Sequence, residues 1–420
     1  MALPVTSRRT FVKTALVAAP LVVPSTVFAA GSDAIRVGLI GCGGRGTGAA
    51  VQVLQGSPNV ILTAMGDAFG DRLNTSLTSL RKQQPDRVKV DADHCFTGLD
   101  AYKQVIDSDV DVVLLCGPPG FRPMQIEYAV QKGRHIFAEK PMATDATGVR
   151  SLIKSVAEAR SRKLALVAGF NSRYSKPAKA LMGRIHDGAI GQIKAMYTTF
   201  NTGYLWNHGR KPEWSDMEWQ IRNWYYFTWL SGDHLVEQAV HNVDKMIWAM
   251  KDKPPARALA LGGRQVRTEP MWGHIYDHFA VLYEWADGTR GVLFCRQQEN
   301  CANDVSDHFM GTRGNADNAR QTHTISGENP WKYDGEVNSG HQTEQEELIA
   351  SIRKGQPIDQ GDRYIDSTLA AIMGRMAAYT GQVVTWEQAM NSRENLMPGS
   401  LAFGPTPTPP VAMPGRTKLI

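Results

Sequence analysis

The sequence predicts an α/β protein whose first part is a Rossmann-like, doubly wound parallel sheet and whose second part is an α+β domain with a large, open, mainly antiparallel sheet. Three observations predict it. Short apolar strands alternate with helical segments between residues 35 and 169, alternating strand patterns follow at 193–200, 274–285 and 290–297, and 420 residues exceed what one hydrophobic core usually holds. We expect domains at 31–168 and 169–390 and a proline-rich arm at 391–420.

The elements of the first part follow one another at short intervals. Apolar, β-branched runs bounded by glycine, proline or charged residues predict strands, and apolar residues every three or four positions predict helices. Strict alternation of the two is typical of parallel strands joined by crossover helices. The predicted strands begin at 35 and occupy 59–67, 88–96, 110–116, 134–141 and 165–169, and the predicted helices are 47–55, 69–84, 99–107, 124–132 and 144–159.

A glycine cluster follows the first strand. Gly41, Gly43 and Gly46 have the spacing GxGxxG, which allows a tight turn, close backbone approach to a pyrophosphate and close helix packing. Asp67 ends the second strand, where a carboxylate can accept the hydroxyls of a ribose. A glycine-rich turn alone can be purely structural, but the two features together predict an NAD site, with NADP as an alternative because Arg72 follows. The residues predicted to bind the dinucleotide here are Gly41, Cys42, Gly43, Gly44, Arg45, Gly46 and Asp67.

The second part has three predicted antiparallel strands and several helices. Asp287 and Gly288 form a good hairpin signal between the second and third of these strands. A helix is predicted at 235–250, before the hairpin. Two late helices, at 343–352 and 368–379, are expected to pack back against the first domain.

The first thirty residues have the layout of an export signal. Arg8 and Arg9 precede an apolar run from 15 to 30, which is interrupted by Pro20 and Pro24 and is too short for a comfortable membrane span. We expect a twin-arginine signal at 1–30, a periplasmic or otherwise exported mature chain, and no stable membrane insertion of it. A membrane anchor or a disordered tail is the alternative.

Charge and cysteine content exclude several classes of function. The net charge of +5 includes Arg8, Arg9 and Lys13, so the mature chain would carry about +2, which gives no electrostatic case for binding nucleic acid. The five cysteines are odd in number and form no CxxC pair. A disulfide framework or a zinc site is therefore not expected.

Glu139, Lys140 and Pro141 leave the fifth predicted strand at its carboxyl end. In a doubly wound sheet that end borders the ligand crevice. A lysine there can bond a substrate hydroxyl and stabilise the alkoxide that develops from it. Taken alone, Lys140 could equally be a surface lysine.

A second candidate group lies on the helix predicted at 235–250. Glu237 and His241 are four residues apart, so they would share one helix face, with Asp244 one turn further on. A carboxylate beside an imidazole fixes its tautomer and raises its basicity, which suits a general base. Helical ion pairing without catalysis is the alternative, and a zinc site that uses His234 as well lacks a recognised motif.

The segment 204–229 is unusually rich in aromatic residues, and we call it the aromatic segment. Aromatic faces cover the C–H surface of a sugar while neighbouring polar groups bind its hydroxyls. An oligomer contact or a packed loop would have the same composition. The segment contains half of the ten tryptophans, which are Trp206, Trp214, Trp219, Trp224 and Trp229.

The chain resembles the Gfo/Idh/MocA oxidoreductases from residue 35 to about 390. The motifs that carry the resemblance are 41–46, 117–119, 139–141, 169–174, 232–244 and 311–314. The resemblance implies a catalytic pair of Lys140 and His241 and a homo-oligomer, either a dimer or a tetramer, built through the open sheet. Glu237 stands where the family commonly has Asp, so its orienting role is an open point. The resemblance adds Pro118, Glu139 and Lys140 to the cofactor site, and the predicted substrate contacts are Arg173, Tyr174, Trp206, Arg222, Trp224, Tyr225 and His241.

These features predict hydride exchange between a tightly bound nicotinamide cofactor and a hydroxyl-bearing carbon of a sugar or glycoside. An exported enzyme has no free NAD pool, so a closed cycle is expected, in which a second sugar reoxidises the cofactor or the hydride returns to the same molecule. The alternatives are an NAD-dependent glycoside hydrolase or lyase, which resembles the redox glycosidases of the family, and a non-catalytic sugar-binding protein. No metal is expected to take part.

Overall fold

The computed structural model describes residues 33–319 and 322–420, and Ile35–Ile420 form one compact unit. The predicted export signal at 1–30 lies outside the described residues. Within them, no helix has both the length and the apolar character needed to cross a bilayer.

The first sheet has six parallel strands in the order β3-β2-β1-β4-β5-β6, which confirms the predicted doubly wound architecture. The residues of its central strands are almost all fully buried because helices cover both faces. Its strands are β1 (Ile35–Ile40), β2 (Val60–Asp67), β3 (Cys95–Thr97), β4 (Val112–Leu115), β5 (His135–Ala138) and β6 (Leu166–Ala168), and its helices are α1 (Gly44–Gly56), α2 (Gly70–Gln83), α3 (Ala101–Asp107), α4 (Arg122–Gln131) and α5 (Ala146–Ser161).

The strand predicted at 88–96 is mostly absent. Val88 forms a single bridge to Leu62, and the chain then turns before β3 begins at Cys95. The Asp91 carboxylate accepts bonds from the amide and from Nδ1 of His94, at 3.0 and 2.7 Å. Such local side-chain bonds compete with sheet pairing, and they convert the middle of the predicted strand into a turn.

The second sheet has nine strands in the order β14-β13-β12-β11-β7-β10-β9-β8-β15. Only β7 and β10 pair in parallel, so the sheet is mixed but mainly antiparallel, as predicted. The hairpin at Asp287 and Gly288 is confirmed, with Gly288 at φ +85°. The strands are β7 (Ile193–Thr202), β8 (Arg257–Gly263), β9 (His278–Glu284), β10 (Arg290–Gln297), β11 (Asp304–Gly311), β12 (Gly314–Ala319), β13 (Thr322–Gly327), β14 (Trp331–Lys332) and β15 (Val384–Thr385).

Eight further helices accompany the second sheet among the described residues. The first five are α6 (Lys176–His186), α7 (Asp216–Arg222), α8 (Thr228–Ser231), α9 (His234–Glu237) and α10 (Val240–Ala249), and the last three are α11 (Gly340–Arg353), α12 (Gly361–Thr380) and α13 (Trp386–Asn391).

The single helix predicted at 235–250 is instead two helices, α9 and α10. The Glu237 carbonyl accepts a bond from the Lys140 ammonium at 2.7 Å. The His241 amide, which would bond that carbonyl in a continuous helix, bonds the Gln238 carbonyl at 3.3 Å. A contact from a residue 97 positions away therefore interrupts the helix.

The late helices join the two halves, as predicted. In α11, Gln342 donates to the carbonyl of Gln52 in α1 at 3.1 Å. In α12, Thr368 accepts the Met142 amide at 3.2 Å, and Arg375 donates to the Thr144 carbonyl at 2.7 Å. The first sheet and the residues around His241 are thus held against the same helix.

The proline-rich arm at 391–420 lies over the chain's own second part. Gln220 donates to the Thr406 carbonyl at 2.6 Å, and Tyr276 donates to the Ala412 carbonyl at 3.0 Å. The amide of Gly415 bonds the Thr380 carbonyl at the end of α12. Phe403 also reaches the first part, with its ring 5.9 Å from that of Phe69.

Candidate active site

The glycine loop lies between β1 and α1 at the carboxyl edge of the first sheet. Gly41 has φ +90°, and a Cβ there would overlap the backbone at Gly117, where β4 ends. A Cβ at Gly46 would overlap the Gly41 carbonyl oxygen, whereas the space around Gly43 is open. Gly41 and Gly46 thus pack closely against the neighbouring backbone. The side of the loop at Gly43, next to the N-terminus of α1, is accessible to a phosphate.

Asp67 lies beside this loop at the end of β2. Its carboxylate accepts the Cys42 amide at 2.7 Å and the Phe69 amide at 2.9 Å. Burial raises the pKa of Asp67, and these two amides act in the opposite direction. Each carboxylate oxygen has further lone pairs, so the group can also accept ribose hydroxyls.

A cavity of about 720 Å³ opens in front of the loop and Asp67. This volume is within the range of small-molecule sites, roughly 300–1,000 Å³. Gly44, Arg45 and Pro118, three of the residues predicted to bind the cofactor, line it from the first part. An open glycine loop, a helix N-terminus and a carboxylate at the end of the second strand fit a dinucleotide. In the second part, the residues lining the cavity belong to the aromatic segment.

Lys140, which follows β5, and Glu237 of α9 meet outside the set of residues that line this cavity. The Lys140 Nζ atom donates to Glu237 Oε1 at 2.8 Å as well as to its carbonyl oxygen, and the two side chains are only 14% and 11% exposed. The prediction that Glu237 shares a helix face with His241 and raises its basicity is wrong, because the helix is broken and the carboxylate binds Lys140.

His241 lies at the start of α10, near Lys140. Burial lowers the pKa of His241 well below 6.5, and the positive charges of Lys140 and Lys245 and the nearby His341 lower it further. The Phe170 ring packs edge-on against the imidazole, with 6.1 Å between ring centroids. His241 is therefore a neutral imidazole at pH 7, with a lysine ammonium in its vicinity.

Glu139, the residue before this lysine, is 6% exposed and forms an ion pair with Arg45 of the glycine loop. A Cβ at Gly169 would overlap the Glu139 carboxylate, so the end of β6 must approach it closely. The ends of β1, β5 and β6 are thus linked at one edge of the sheet, between the cavity and Lys140.

The comparisons with known proteins agree with this geometry. The family model described as "Oxidoreductase family, NAD-binding Rossmann fold" matches residues 35–168, and the one described as "GFO/IDH/MocA C-terminal domain" matches residues 179–317. The chain belongs to the Gfo/Idh/MocA family. Residues 35–168 of this chain, which contain the first sheet, are therefore an NAD-binding Rossmann domain.

Two relatives within the Gfo/Idh/MocA family share about a quarter of the aligned residues with this chain. The chain is 24% identical over 283 residues to inositol 2-dehydrogenase from Rhizobium meliloti (strain 1021), a match that covers 67% of this chain and 74% of that protein. It is 24% identical over 293 residues to myo-inositol 2-dehydrogenase from Thermotoga maritima, covering 69% of this chain and 78% of that protein.

Among solved structures, that of aldose-aldose oxidoreductase from Caulobacter crescentus, complexed with glycerol, matches with a TM-score of 0.67. The sequence identity is 16%, and the match covers 84% of this chain and 99% of that one. At this identity the likeness shows the fold.

Two residues that the resemblance assigned to substrate contact have structural partners instead. Arg173 is 4% exposed and binds Asp244 through two bonds, at 2.9 and 2.8 Å, and Asp252 at 2.7 Å. Tyr174 is 2% exposed, and its hydroxyl bonds Gln360 at 3.2 Å. Their polar groups are thus occupied within the fold, which corrects the prediction that they contact substrate. Asp244 is likewise bound to Arg173 and not to His241.

The four predicted substrate residues of the aromatic segment lie in different places. Trp206 and Trp224 line the cavity in front of Asp67. Arg222 lies over the Phe69 ring, 3.9 Å from its centroid. Tyr225 is 1% exposed, and its hydroxyl accepts a bond from Gln297 at 2.8 Å. Burial raises the pKa of Tyr225, and the charge of the Glu237 carboxylate raises it further.

The zinc alternative has no support in the described residues. His234 Nδ1 is 2.9 Å from the Asp233 carboxylate, and its ring packs on Phe279. In the described part of the chain, no group of three or more His, Cys, Asp or Glu side chains is arranged to hold a metal ion. All five cysteines are free thiols, of which only Cys301 is exposed.

Sequence reasoning missed a polar cluster on α11 beside the crevice. His341 Nδ1 is 3.2 Å from Glu344 Oε1, and its Nε2 is 2.8 Å from the Asn171 amide nitrogen, so the tautomer with the proton on Nδ1 satisfies both contacts. Arg45 reaches Glu344 at 3.4 Å. Burial raises the pKa of Glu344 well above 4.5, and the nearby Glu139 carboxylate raises it further.

One signal in the sequence could have found this cluster. Leu348, Ile349 and Ile352 form the apolar face of α11. The same face one turn earlier carries Glu344 and Gln345, both fully buried. Polar side chains that continue a core-facing stripe are expected at functional sites, since burying them otherwise costs stability.

Proposed function

We propose that this protein is an NAD-dependent oxidoreductase that moves hydride between the nicotinamide and a hydroxyl-bearing carbon of a sugar or polyol. The observation that carries the proposal is that Lys140 follows β5 at the carboxyl edge of the NAD-binding sheet and that its charge acts on His241 of the second half, where it lowers the pKa of the imidazole. An ammonium and a neutral imidazole are the two groups that oxidation of an alcohol needs.

Lys140 is oriented for this role by Glu237. A lysine ammonium has three N–H donors, and two of them bond the Glu237 carbonyl and carboxylate. The third is left for a substrate hydroxyl, whose oxygen becomes negatively charged as its proton leaves, before the C–H bond gives up hydride and the carbonyl forms. The fixed ammonium stabilises that charge without reorganising.

His241 is suited to accept the hydroxyl proton. Its lowered pKa keeps it neutral at pH 7, so the acceptor nitrogen is available before the reaction starts. The nicotinamide of NAD supplies the hydride acceptor when it is bound. Burial of Lys140 and Glu237 excludes water from the same place and strengthens the electrostatic interactions.

The names of the relatives support sugars and cyclic polyols as the substrate class. Inositol 2-dehydrogenase and aldose-aldose oxidoreductase are named for substrates in which several hydroxyls surround a carbon that can be oxidised. The choice between NAD and NADP is part of the proposal. Asp67 favours NAD, because a carboxylate repels a 2′-phosphate.

We further propose that the protein acts outside the cytoplasm, exported by the twin-arginine signal at 1–30. Supply of fresh NAD there is negligible, so the cofactor must stay bound and be regenerated in place. Reoxidation by a second sugar closes the cycle, and the aldose-aldose oxidoreductase relative is named for such a reaction. Fusion of residues 1–30 to a reporter that is active only after export tests the location, and retention of the reporter in the cytoplasm would contradict it.

Association of identical chains through the second sheet is also part of the proposal. Tyr197, Leu259, Leu261 and Phe294 are between 39% and 75% exposed. The strand register places all four on one face of the sheet. A contiguous apolar face of this kind is typical of a subunit interface. Light scattering during gel filtration gives the oligomeric state, and a monomer at micromolar concentration would contradict the proposal.

The oxidoreductase activity is tested on the purified full-length protein. The nucleotide released on denaturation is identified by mass spectrometry, and a panel of sugars and inositols is then added to the native protein. We expect bound NAD and the near-ultraviolet absorbance of reduced nicotinamide with at least one compound. Protein that carries nucleotide but shows no reduction across aldoses, glycosides and inositols would exclude this activity.

A further inference from the structure

The cavity in front of Asp67 has walls from both halves of the chain. The glycine loop and the β2–α2 connection form one wall, and Trp206, His208, Ile221 and Trp224 form part of the other. We propose that the aromatic segment is a clasp for the adenosine half of the dinucleotide, and that it retains the cofactor between turnovers. This inference rests on the proposed function, which requires a bound NAD, and it assigns the aromatic residues to the cofactor and not to the sugar.

The position of the aromatic residues carries the assignment. In a doubly wound sheet, the adenosine ribose binds at the end of the second strand, where Asp67 lies. Trp206 and Trp224 line the same cavity as Asp67. Among the described residues that line it, Lys140 and His241 are absent. The two indoles thus share a cavity with the predicted ribose contact, and the two residues of the proposed chemistry do not line that cavity.

The clasp is fastened to the first part of the chain at the start of α2. Arg222 forms bonds of 3.0 and 3.3 Å with the Asp71 carboxylate. Its guanidinium lies 3.9 Å from the Phe69 ring centroid and 4.9 Å from that of Trp214. Arg72 in turn donates to the Arg222 carbonyl at 3.2 Å.

The stack contributes more to this fastening than the ion pair. Asp71 is 65% exposed, and exposed ion pairs are screened by water and salt. The Arg222 side chain is only 14% exposed, and its planar group lies over the rings of Phe69 and Trp214. Removing Arg222 should therefore loosen the clasp more than removing the Asp71 charge.

Bonds within the aromatic segment keep Trp206 in place. The Tyr226 hydroxyl bonds the carbonyls of Leu205 and Trp206, at 2.9 and 3.1 Å. The Asn223 amide side chain accepts the His208 amide at 2.8 Å. The loop that carries Trp206 is consequently held by two buried residues of its own segment.

The side chains that face the cavity form an aromatic surface. Trp206 and His208 are stacked with ring centroids 5.0 Å apart, and the Trp224 ring is 6.0 Å from Trp206. Burial lowers the pKa of His208, and the charges of Arg72 and Arg222 lower it further, so the imidazole is neutral. Neutral aromatic rings can stack on an adenine base, and this stacking does not require hydrogen bonds to the edge of the base.

In this proposal, the dinucleotide leaves faster when the aromatic surface separates from the first part of the chain. The Arg222 stack and the Arg72 contact must then break together. The clasp therefore acts mainly on the dissociation rate, which is the quantity an exported enzyme needs to keep low.

The experiment measures exchange of bound NAD in the full-length protein. Protein loaded with isotope-labelled NAD is diluted into excess unlabelled NAD, and the label that stays with the protein is followed over time. We expect Trp206→Ala and Arg222→Ala to exchange at least tenfold faster than the wild type. Asp71→Asn should change the rate less than Arg222→Ala.

Matched controls separate the clasp from general loss of stability. Trp331→Ala removes a tryptophan that also packs under an arginine, Arg184, at the edge of the second sheet, and it should exchange like the wild type. Trp206→Phe keeps an aromatic face and should retain most of the slow exchange. Thermal unfolding of each variant confirms that it is folded.

Two outcomes would overturn the inference. In one, Trp206→Ala and Arg222→Ala exchange NAD at the wild-type rate. In the other, they raise the KM for the sugar and leave the KM for added NAD unaffected, which would assign the segment to the substrate. The exchange assay needs no turnover, so it gives its answer even if no sugar is oxidised and the proposed function fails.

Discussion

The two ends of the crevice are built from different chemistry. At the Lys140 end, a largely buried ammonium binds a carboxylate, and its charge acts on a neutral imidazole. At the Asp67 end, the opposite wall is aromatic, and a guanidinium lies over two rings. The first arrangement suits proton and charge movement, and the second suits holding a flat, uncharged base.

Each half of the chain contributes residues to both ends. At both ends the first sheet contributes the residue at a strand end, Lys140 or Asp67, and the second part supplies what closes over it. Closure is by ion pairing in one case and by stacking in the other. Substitutions at the two ends should therefore separate turnover from cofactor retention.

The largest effect is expected for Lys140→Ala. Losing the fixed ammonium removes stabilisation of the developing alkoxide, so turnover should fall by about 10²–10⁴-fold while NAD stays bound. Hydride transfer and nucleotide content are measured on the same preparation. Lys154→Ala, which changes an exposed lysine on α5, is the control, and wild-type turnover in Lys140→Ala would remove this residue from the mechanism.

The next test uses the pH dependence of His241. Its pKa is lowered well below 6.5 by burial and by the charges of Lys140 and Lys245, with His341 also facing it. The neutral base persists from pH 7 down to that lowered pKa, so the fall in turnover that belongs to His241 should lie on the acid side, below pH 6.5. The acid limb should disappear in His241→Gln, together with most of the activity. An acid limb that is unchanged in His241→Gln would belong to another group.

A smaller loss is expected for Glu237→Gln. The variant keeps the backbone carbonyl that binds Lys140 but loses the carboxylate, which is one charge-assisted bond, so turnover should fall by roughly 10–100-fold. Steady-state kinetics at saturating NAD measures it. Glu237→Asp restores the charge and should recover part of the rate. A loss as large as that of Lys140→Ala would mean that the carboxylate itself touches the substrate.

At the opposite end, Asp67→Ala should act on cofactor affinity and not on the chemical step. Removing the ribose acceptor should weaken NAD binding by about 10–100-fold. Calorimetry with protein stripped of nucleotide gives the dissociation constant. Asp100→Ala, which removes an exposed carboxylate before α3, is the control. An unchanged affinity in Asp67→Ala would show that another residue contacts the ribose.

Much of the fold and part of the site could be predicted because the signals are local. A glycine loop after a strand, a carboxylate at the next strand end and Glu139-Lys140-Pro141 each depend on a few neighbouring residues. The break between α9 and α10 could not be predicted, because it arises when Lys140 takes the Glu237 carbonyl from 97 residues away. Helical periodicity at 235–250 contains no information about that contact.

The aromatic segment shows a different limit. Its aromatic composition indicates a surface that packs on the face of a ligand ring. Both a sugar ring and an adenine base fit such a surface. Only the fold shows that Trp206 and Trp224 line the cavity of Asp67 and not the surroundings of His241. Arg173 and Tyr174 were misjudged for a related reason, since burial and internal partners cannot be seen in a motif.

The bond from Lys140 to the Glu237 carbonyl couples the lysine side chain to the backbone conformation between α9 and α10. Each residue of an α-helix turns the chain by about 100°, so a continuous helix through this point would point the imidazole of His241 in another direction. Losing the lysine therefore also relaxes a kink on which the imidazole depends. Chemical rescue of Lys140→Ala by a small alkylamine would need to reinstate a bend as well as a positive charge, and the efficiency of that rescue would report how far conformation and reactivity are coupled here.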